Sequence, residues 1–548
     1  MKNKKFSNSN RASMVEKIKV QKFDVIVIGG GITGAGILLD AASRGLKAIL
    51  LEKNDFASGT SSKSTKLIHG GLRYLKQFDF GLVQEVGTER AIVHKLAPHL
   101  VIPEKMLLPI IKDGSYSKWL TSIGLKIYDI LAGVSGDDKR KMLGKKETIS
   151  LEPLVPEEIV EGAGYYAEYR TDDARLTIEN LKTAITFGAT ALNYSKVTNM
   201  VYENGKIVGV AVEDETTNEP FEIKSDYVIS AAGPWVDTLR KKDNSLQGKR
   251  LHLSKGVHIV FPREKFPIQQ SIYFDVPDGR MMFAIPRGKV TYLGTSDTDY
   301  NQNIDEVYAD IEDVNYLLNG ANNMFPDLQL TKEDVLSSWA GLRPLIHEEG
   351  KSASELSRKD EIFVSETGFI SIAGGKLTGY RKMAERIVDK VIQKMDNGSK
   401  YKDCTTDKIK LSGNGFTDFK EVKKYISYLY EKIQKDGFTN YDAKYLAYNY
   451  GKQTDSILEN YAKSSVVDPR EKMILAELKY TTEFEMVLNP LDFFIRRTGR
   501  LYFDILSIEK HLEAVLLYFK NHLGASDIAL KNWKNDLQKE IKKHSSFS

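Results

Sequence analysis

Apolar and polar positions follow two rhythms along this chain, and the rhythm changes near Cys404. Before that point, short β-branched runs alternate with stretches spaced by three and four and with glycine-rich turns, a pattern that predicts layered α/β structure. Residues 23–28 (FDVIVI) are apolar almost throughout, as expected of a strand buried on both faces. Gly29-Gly30-Gly31-Ile32-Thr33-Gly34 follows directly, and then a helical pattern that turns Ile32, Ala35, Leu38, Leu39 and Ala42 to one side. Gly45 suits the left-handed residue that closes a helix. A second strand over residues 47–51 ends in Glu52. Further on, residues 197–213 read as a hairpin about Asn204-Gly205, returning through residues 221–223 to a buried strand that ends at Gly233. Residues 368–380 read as a strand, a Gly374-Gly375 turn and a helix capped by Thr378. Beyond Cys404 only six of the 41 glycines remain, and residues 417–436, 470–487 and 505–523 carry helical spacing, which predicts a bundle or cap.

Composition narrows the classes. Of 548 residues, 41% are hydrophobic and 28% charged, which excludes a disordered or low-complexity chain. The 78 basic and 74 acidic residues leave a net charge of +4 with no long basic block, so a nucleic-acid partner is set aside. A single cysteine can form no internal disulfide and suits a reducing compartment. There is no H-E-x-x-H, cysteine pair or G-x-S-x-G, so metal and serine-nucleophile chemistry find no support. Residues 1–21 are polar and basic and read as a flexible tail rather than a signal. No apolar run reaches the ~18 to 20 residues of a membrane span.

The unit from Phe23 to Glu52 places G-x-G-x-x-G in its working context of strand, turn, helix and acidic strand end. Gly29 permits the tight turn, Gly31 the close approach of a pyrophosphate, and Gly34 the contact of helix and strand. The helix N-terminus adds positive potential. Glu52 can accept both hydroxyls of an adenosine ribose and would repel a 2′-phosphate, so NADP is disfavoured. FAD is favoured over NAD by the polar stretch ASGTSSKSTKLIHGGLRY (residues 57–74), by the meander ending at Gly233, and by the second glycine turn before Lys376.

The motifs IGGGITGAG, TSSKSTKLIHGGLRYL, AAGPW, KGVHIVFP, LGTSDTDY, WAGLRPL, GGKLTGYRKMAE and EMVLNPLDFFIRRTGRLYFD stand in this order. With them the chain resembles the FAD-dependent, quinone-linked glycerol-3-phosphate dehydrogenases of the D-amino-acid-oxidase-like flavoproteins. The resemblance implies an α/β FAD-binding Rossmann-like domain (about 22–95, 165–250 and 350–404). This is interleaved with an α+β antiparallel-sheet substrate domain (about 96–164 and 251–349), and an all-α domain follows over 405–548. It also implies non-covalent FAD, sn-glycerol 3-phosphate as substrate, dihydroxyacetone phosphate as product, and electrons delivered to membrane quinone. The residues then expected at the cofactor are Gly29, Gly31, Ile32, Thr33, Gly34, Glu52 and Lys53; Thr60, Ser61, Ser62, Lys66, Leu67, His69, Gly70 and Gly71; and Gly233, Gly375, Leu377 and Thr378.

Oxidising a secondary alcohol requires a group that takes the hydroxyl proton near neutral pH, and histidine is the default. Of nine histidines, His511, His522 and His544 fall in the helical cap, and His94 and His99 in or beside a helical stretch, where packing or solvation accounts for them. His252 and His258, six apart on RLHLSKGVHIVFP, share one face of a strand. The resemblance puts an active-site histidine at His258, the expected base, with His69 near the flavin. A phosphate calls for cations. Arg73 with neighbouring Tyr74, Arg343, Arg358 and Lys376 are the candidates, with Arg343 alternatively beside the reacting oxygen.

Two apolar stripes flanked by lysines could lie on an anionic surface: one of Trp119, Leu120, Ile123, Ile127, Ile130 and Leu131, the other of Leu530, Trp533, Leu537 and Ile541. For the second, packing against the protein itself is the stronger reading. The expected location is the cytoplasm, with peripheral contact to the inner face of the cell membrane. A homodimer contact is one use open to the helical cap. The alternatives are a soluble glycerol-3-phosphate oxidase making hydrogen peroxide, whose known forms carry an insertion not seen here, and a non-catalytic flavin-binding sensor or scaffold. Intact candidates at His258, Arg343 and Lys376 argue against the last.

Overall fold

The structure, a computed structural model, describes residues 5–69, 80–112, 114, 139–347 and 360–547. Gly70, Gly71, Arg73, Tyr74 and Arg358 lie outside these residues, as does the stripe over 119–131.

Strands are numbered along the chain. The first sheet has a parallel centre of β1 (Lys22–Ile28), β2 (Ala48–Leu51), β7 (Thr190–Leu192), β10 (Glu219–Ser230) and β18 (Ile370–Ala373). The hairpin of β8 (Ser195–Glu203) and β9 (Lys206–Asp214) continues from β10, and β17 (Glu361–Val364) closes the other edge antiparallel. The order is β17-β18-β10-β1-β2-β7. The hairpin turns at Asn204 (φ +50°) and Gly205 (φ +74°), the two left-handed residues that a tight hairpin of this hand requires.

The second sheet is built from β3 (Leu67–Ile68), β4 (Ile102–Ile111), β5 (Lys141–Gly144), β6 (Val160–Arg170), β11 (Arg250–Pro262), β12 (Ser271–Asp275), β13 (Met281–Arg287), β14 (Val290–Gly294), β15 (Thr298–Asp299) and β16 (Ser337–His347). Its ladders are antiparallel except between β4 and β12. The chain therefore alternates between sheets: β1–β2, then β3–β6, then back for β7–β10, out for β11–β16, and home for β17–β18. Every crossing brings a loop across the seam, and the site lies along it.

Helix Ile32–Ser43 packs on the first sheet beside helices Asp173–Thr186 and Tyr380–Gln393. The close crossing rests on Gly36, where a Cβ would fall 2.9 Å from the Tyr380 ring. Gly45, at φ +98°, ends the helix as expected.

The helical part comprises Phe419–Ile433, Asn440–Tyr450, Thr454–Lys463, Pro469–Phe484, Ile505–Leu523 and Asp527–Ser545. Asp418 and Asp468 cap their helices by accepting from the backbone N–H groups of Glu421 and Glu471. The first four helices make a core of their own. The last two share one with the second sheet, joining Ile508, Leu512 and Leu537 to Tyr292 and Trp339. Leu530, Trp533 and Ile541 of the C-terminal stripe pack into this core.

Two expectations need correction. The start of the chain is no free tail: Arg11–Lys19 is helical, Phe6 stacks on Phe56 at 5.8 Å, and Val15 and Ile18 are buried. Arg11 binds Asp214 at 2.9 Å and donates to Ser195 Oγ. Its guanidinium belongs to the interior, so a tally of basic residues misjudged the segment. Thr378 also fails as a helix cap: helix Tyr380–Gln393 follows a tight turn at Leu377–Gly379, and Thr378 Oγ1 donates to the His69 carbonyl at 3.4 Å.

Candidate active site

The nucleotide end is built from backbone. Gly29 sits at φ +111°, and a Cβ there would come 2.6 Å from the Ala231 carbonyl oxygen at the end of β10. At Gly34 a Cβ would fall 1.9 Å from the Gly29 carbonyl oxygen, so helix and turn touch in a way only glycine allows. Ser61 Oγ accepts from the Ile32 N–H at 2.9 Å, at the first turn of the helix. Glu52 is buried at the end of β2 and accepts from the N–H groups of Gly30 at 2.6 Å and Asn54 at 2.9 Å. Burial pushes its carboxyl above the usual range, and the two backbone donors oppose that shift.

A cavity of about 600 Å³ runs from Glu52 past this helix N-terminus to Gly374–Leu377 and Pro344 of β16. Of the expected residues, Gly29, Gly31, Ile32, Thr33, Glu52, Lys53, Thr60, Ser61, Gly233, Gly375, Lys376 and Leu377 line it. The cradle fits a dinucleotide: Glu52 can hold a ribose, the helix N-terminus a pyrophosphate, and the Gly374–Leu377 turn the far ring system. Sequence reasoning missed Val197, Trp235 and Asp305 on its wall. Lys53 Nζ lies 4.3 Å from the Trp235 ring centre and 2.5 Å from Asp305, which also accepts from the Trp235 indole at 2.9 Å, so the three clasp the cavity rim.

Ser62, Lys66, Leu67 and His69, also expected at the cofactor, are not among the residues that line the cavity. Lys66 is buried with its ammonium 2.5 Å from Asp173 and 3.0 Å from the Ser62 carbonyl, and Leu67 is in β3. Ser62 Oγ reaches the Gly59 carbonyl at 3.5 Å. His69 meets Phe283 edge-on at 6.0 Å.

The substrate end is built from side chains on one face of the second sheet. The antiparallel register pairs His258 with Trp339, Gly256 with Gly341, and Ser254 with Arg343. Alternate residues share a face, so these six form one patch. The glycine pair leaves room at its centre. The Arg343 guanidinium lies over Gly256, where a Cβ would be 2.2 Å away, and the Lys63 backbone lies over Gly341. Arg343 is held by Asp297 at 3.1 Å, Thr295 Oγ1 at 2.8 Å and the Ser296 carbonyl at 3.1 Å. His258 stacks on Trp339 with ring centres 4.8 Å apart and planes at 10°. Burial first, then the charges of Arg343 and Lys66, hold its imidazole well below the ordinary 6.5, so it is neutral at pH 7 and able to take a proton. His252, at the rim, pairs with Asp299 at 2.8 Å.

One loop joins the two ends. Thr60 lines the cavity and donates to the Leu342 carbonyl at 2.8 Å; Ser64 lines it and accepts from the Trp339 indole at 3.0 Å; Thr65 Oγ1 lies 3.0 Å from His258 Nε2. Behind Glu52, Asp55 is fully buried and binds Arg497 through both oxygens at 2.8 Å, and it also binds Arg496. Arg497 donates to the Glu485 carbonyl at 2.8 Å, and Glu485 takes Arg175 of the first domain at 2.5 and 2.8 Å. The EMVLNPLDFFIRRTGR segment is thus anchored next to the nucleotide end.

This arrangement defines a class, and comparison with known proteins agrees. Residues 24–381 match the family model of FAD dependent oxidoreductases, and residues 404–529 match the C-terminal domain of alpha-glycerophosphate oxidase. Within that class the chain is 48% identical to the aerobic glycerol-3-phosphate dehydrogenase of Bacillus subtilis, over 98% of each chain. It is 45% identical to the enzyme of that name from Staphylococcus aureus, over 98% of this chain and 97% of that one. Among solved structures it is similar to the glycerol-3-phosphate dehydrogenase from Bacillus halodurans complexed with FAD, with a TM-score of 0.84 and 43% identity over 98% of both chains. The chain belongs to the aerobic glycerol-3-phosphate dehydrogenase family.

Proposed function

We propose that this chain is an FAD-dependent glycerol-3-phosphate dehydrogenase that oxidises C2 of sn-glycerol 3-phosphate to the ketone of dihydroxyacetone phosphate. The observation that carries this reading is the single loop that walls the dinucleotide cavity with Thr60 and Ser64 and meets His258 through Thr65. Bound FAD supplies a two-electron acceptor whose N5 takes the hydride from C2. The cavity residues hold it without a covalent bond. His258 takes the proton of the C2 hydroxyl, and the stacked Trp339 fixes its plane. Arg343, tethered by Asp297, faces the oxygen as negative charge develops on it. To Arg73, Tyr74, Arg358 and Lys376 we assign the binding of the phosphorylated substrate, the cations meeting the phosphate charge. Anaerobic addition of glycerol 3-phosphate to the yellow holoenzyme tests the reading: the flavin colour bleaches with one equivalent of substrate, and retention of the oxidised spectrum would sink it.

Membrane quinone is the proposed electron acceptor, in line with the aerobic dehydrogenases among its relatives. Among the described residues no helix is long and apolar enough to cross a membrane. We place the protein in the cytoplasm, touching the membrane surface through residues 119–131, since the C-terminal stripe faces the protein's own core. Co-sedimentation with anionic liposomes at low salt tests this, and peroxide formed in step with substrate loss would instead assign oxygen as acceptor.

A further inference from the structure

Lys53, Trp235 and Asp305 come from three separate segments and meet at the edge of the dinucleotide cavity. Lys53 follows β2, and Trp235 ends the tight turn Gly233–Trp235 that follows β10. Both strands run parallel to β1, and the order β10-β1-β2 puts β1 between them. A contact from Lys53 to Trp235 therefore spans the end of β1, where Gly29, Gly31 and the helix N-terminus face the cavity. That is the stretch suited to a pyrophosphate.

The span is closed by side chains that satisfy one another. Lys53 Nζ lies 4.3 Å from the Trp235 ring centre. One Asp305 oxygen, Oδ1, accepts from Lys53 at 2.5 Å and from the Trp235 indole N–H at 2.9 Å. Gly59 lets the indole come close, since a Cβ there would fall 3.1 Å from the ring. Asp305 belongs to the second domain, on the stretch between β15 and helix Ile311–Met324. Buried Tyr300 and Val307 pin this stretch at either end. The Tyr300 hydroxyl donates to the carbonyls of Asn303 and Glu306 at 2.8 and 3.1 Å, and Asn303 Oδ1 accepts from the Asp305 N–H at 3.1 Å. The backbone thus presents Asp305 in a fixed place. The side chains of Lys53 and Asp305 keep 30% and 55% of their surface in water, so the contact can part by side-chain rotation while the core stays packed.

We propose that Asp305 is the latch of the cofactor cavity: with Lys53 and Trp235 it bridges the pyrophosphate stretch, and the bridge parts each time FAD enters or leaves. Because the three side chains supply one another's partners, the bridge adds to the barrier for passage in both directions and leaves affinity nearly unchanged. An exposed ion pair alone is weak, but here the carboxylate is shared with an indole N–H and the cation lies on the ring. The proposal needs FAD in the cavity and neither the assigned base nor the assigned substrate.

The test follows exchange of bound FAD for an excess of radiolabelled FAD in full-length holoenzyme, with flavin retained on serial dilution giving the affinity. Asp305→Asn keeps an acceptor for the indole and removes the charge, and is expected to speed exchange about tenfold with affinity within about threefold of wild type. Trp235→Phe keeps a ring beside Lys53 and loses the N–H, and exchange quickens about threefold. Glu306→Gln removes the neighbouring charge from the same exposed stretch and leaves exchange as it was. Added salt speeds exchange more in the wild type than in Asp305→Asn, because only the former has the pair to screen. Wild-type exchange in Asp305→Asn or Trp235→Phe, or the same salt response with and without Asp305, overturns the proposal. So does an affinity that falls as far as release quickens, which marks an ordinary ligand contact, and so does equal quickening in Glu306→Gln, which marks a loosened loop. Flavin that exchanges as expected yet is not bleached by glycerol 3-phosphate would sink the dehydrogenase reading and leave the latch standing.

Discussion

The two ends of the site hold their ligands by different means. The nucleotide end consists largely of backbone: Gly29, Gly31 and Gly34 remove side chains so that strand, turn and helix can close on a pyrophosphate, and Glu52 adds one carboxylate. The substrate end consists of side chains raised on a sheet face, with Gly256, Gly341 and Gly294 clearing space for Arg343, the Lys63 backbone and His258. Damage at the first end should therefore cost the cofactor, and damage at the second should cost rate with the cofactor in place.

The sharpest test of that division is Gly34→Ala. Its Cβ would lie 1.9 Å from a backbone oxygen that cannot move aside, so the purified protein should carry almost no flavin and show no activity. A yellow, active Gly34→Ala protein would break the comparison at its root. Next comes His258→Asn, which should keep its flavin spectrum yet lose about a hundredfold or more in the rate of flavin reduction. Stopped-flow absorbance measures it, and a colourless variant would show that the ends are not separable. Asp297→Ala frees the Arg343 guanidinium from an ion pair at 3.1 Å. A loss of about tenfold in kcat/KM is expected with flavin content unchanged. An unaltered kcat/KM would mean that the remaining Thr295 and Ser296 contacts suffice.

The smallest effect on activity belongs to a group at neither end. His99 is fully buried against the C-terminal region, both ring nitrogens meet no hydrogen-bond partner among the described residues, and burial beside Arg175 and Lys182 pushes its pKa down to about 3. Its folded pKa lies below the unfolded value, so stability is complete above about 6.5 and falls as the pH drops toward 3, by up to about 1.4 kcal/mol per pH unit. Denaturation midpoints at pH 7 and 5.5 measure this, and a His99→Gln variant that loses the same stability over that interval would acquit the histidine.

The division also explains what could be read from sequence. The nucleotide end is local: every constraint from Phe23 to Glu52 falls within one βαβ unit, so spacing alone locates it. The interleaved sheets follow from the returns to β10 and β18, which the meander and the second glycine turn announce. The substrate end depends on a register between β11 and β16, about eighty residues apart, and no periodicity reveals that Trp339 lies across from His258. His258 and Arg343 were reachable through motifs, whereas Thr65, Trp339 and Asp297 needed the fold. Lys66 was expected at the cofactor through the resemblance alone, and its ion pair with Asp173, more than a hundred positions away, is nothing that spacing could reveal. The N-terminal helix was hidden for a similar reason, since Arg11 finds Asp214 only in three dimensions.

The grip of Arg496 and Arg497 on Asp55 has a bearing on how the molecule is made. A ribosome releases the FAD-binding segments first, but Asp55 lacks its two arginine partners until Arg496 and Arg497, 441 and 442 positions further along, have emerged. Stranding such a charge costs on the order of 3–5 kcal/mol, a large part of a domain's net stability. A chain stopped short of those arginines would have a poorly supported adenosine end, so firm acquisition of the cofactor is tied to synthesis of this distal segment.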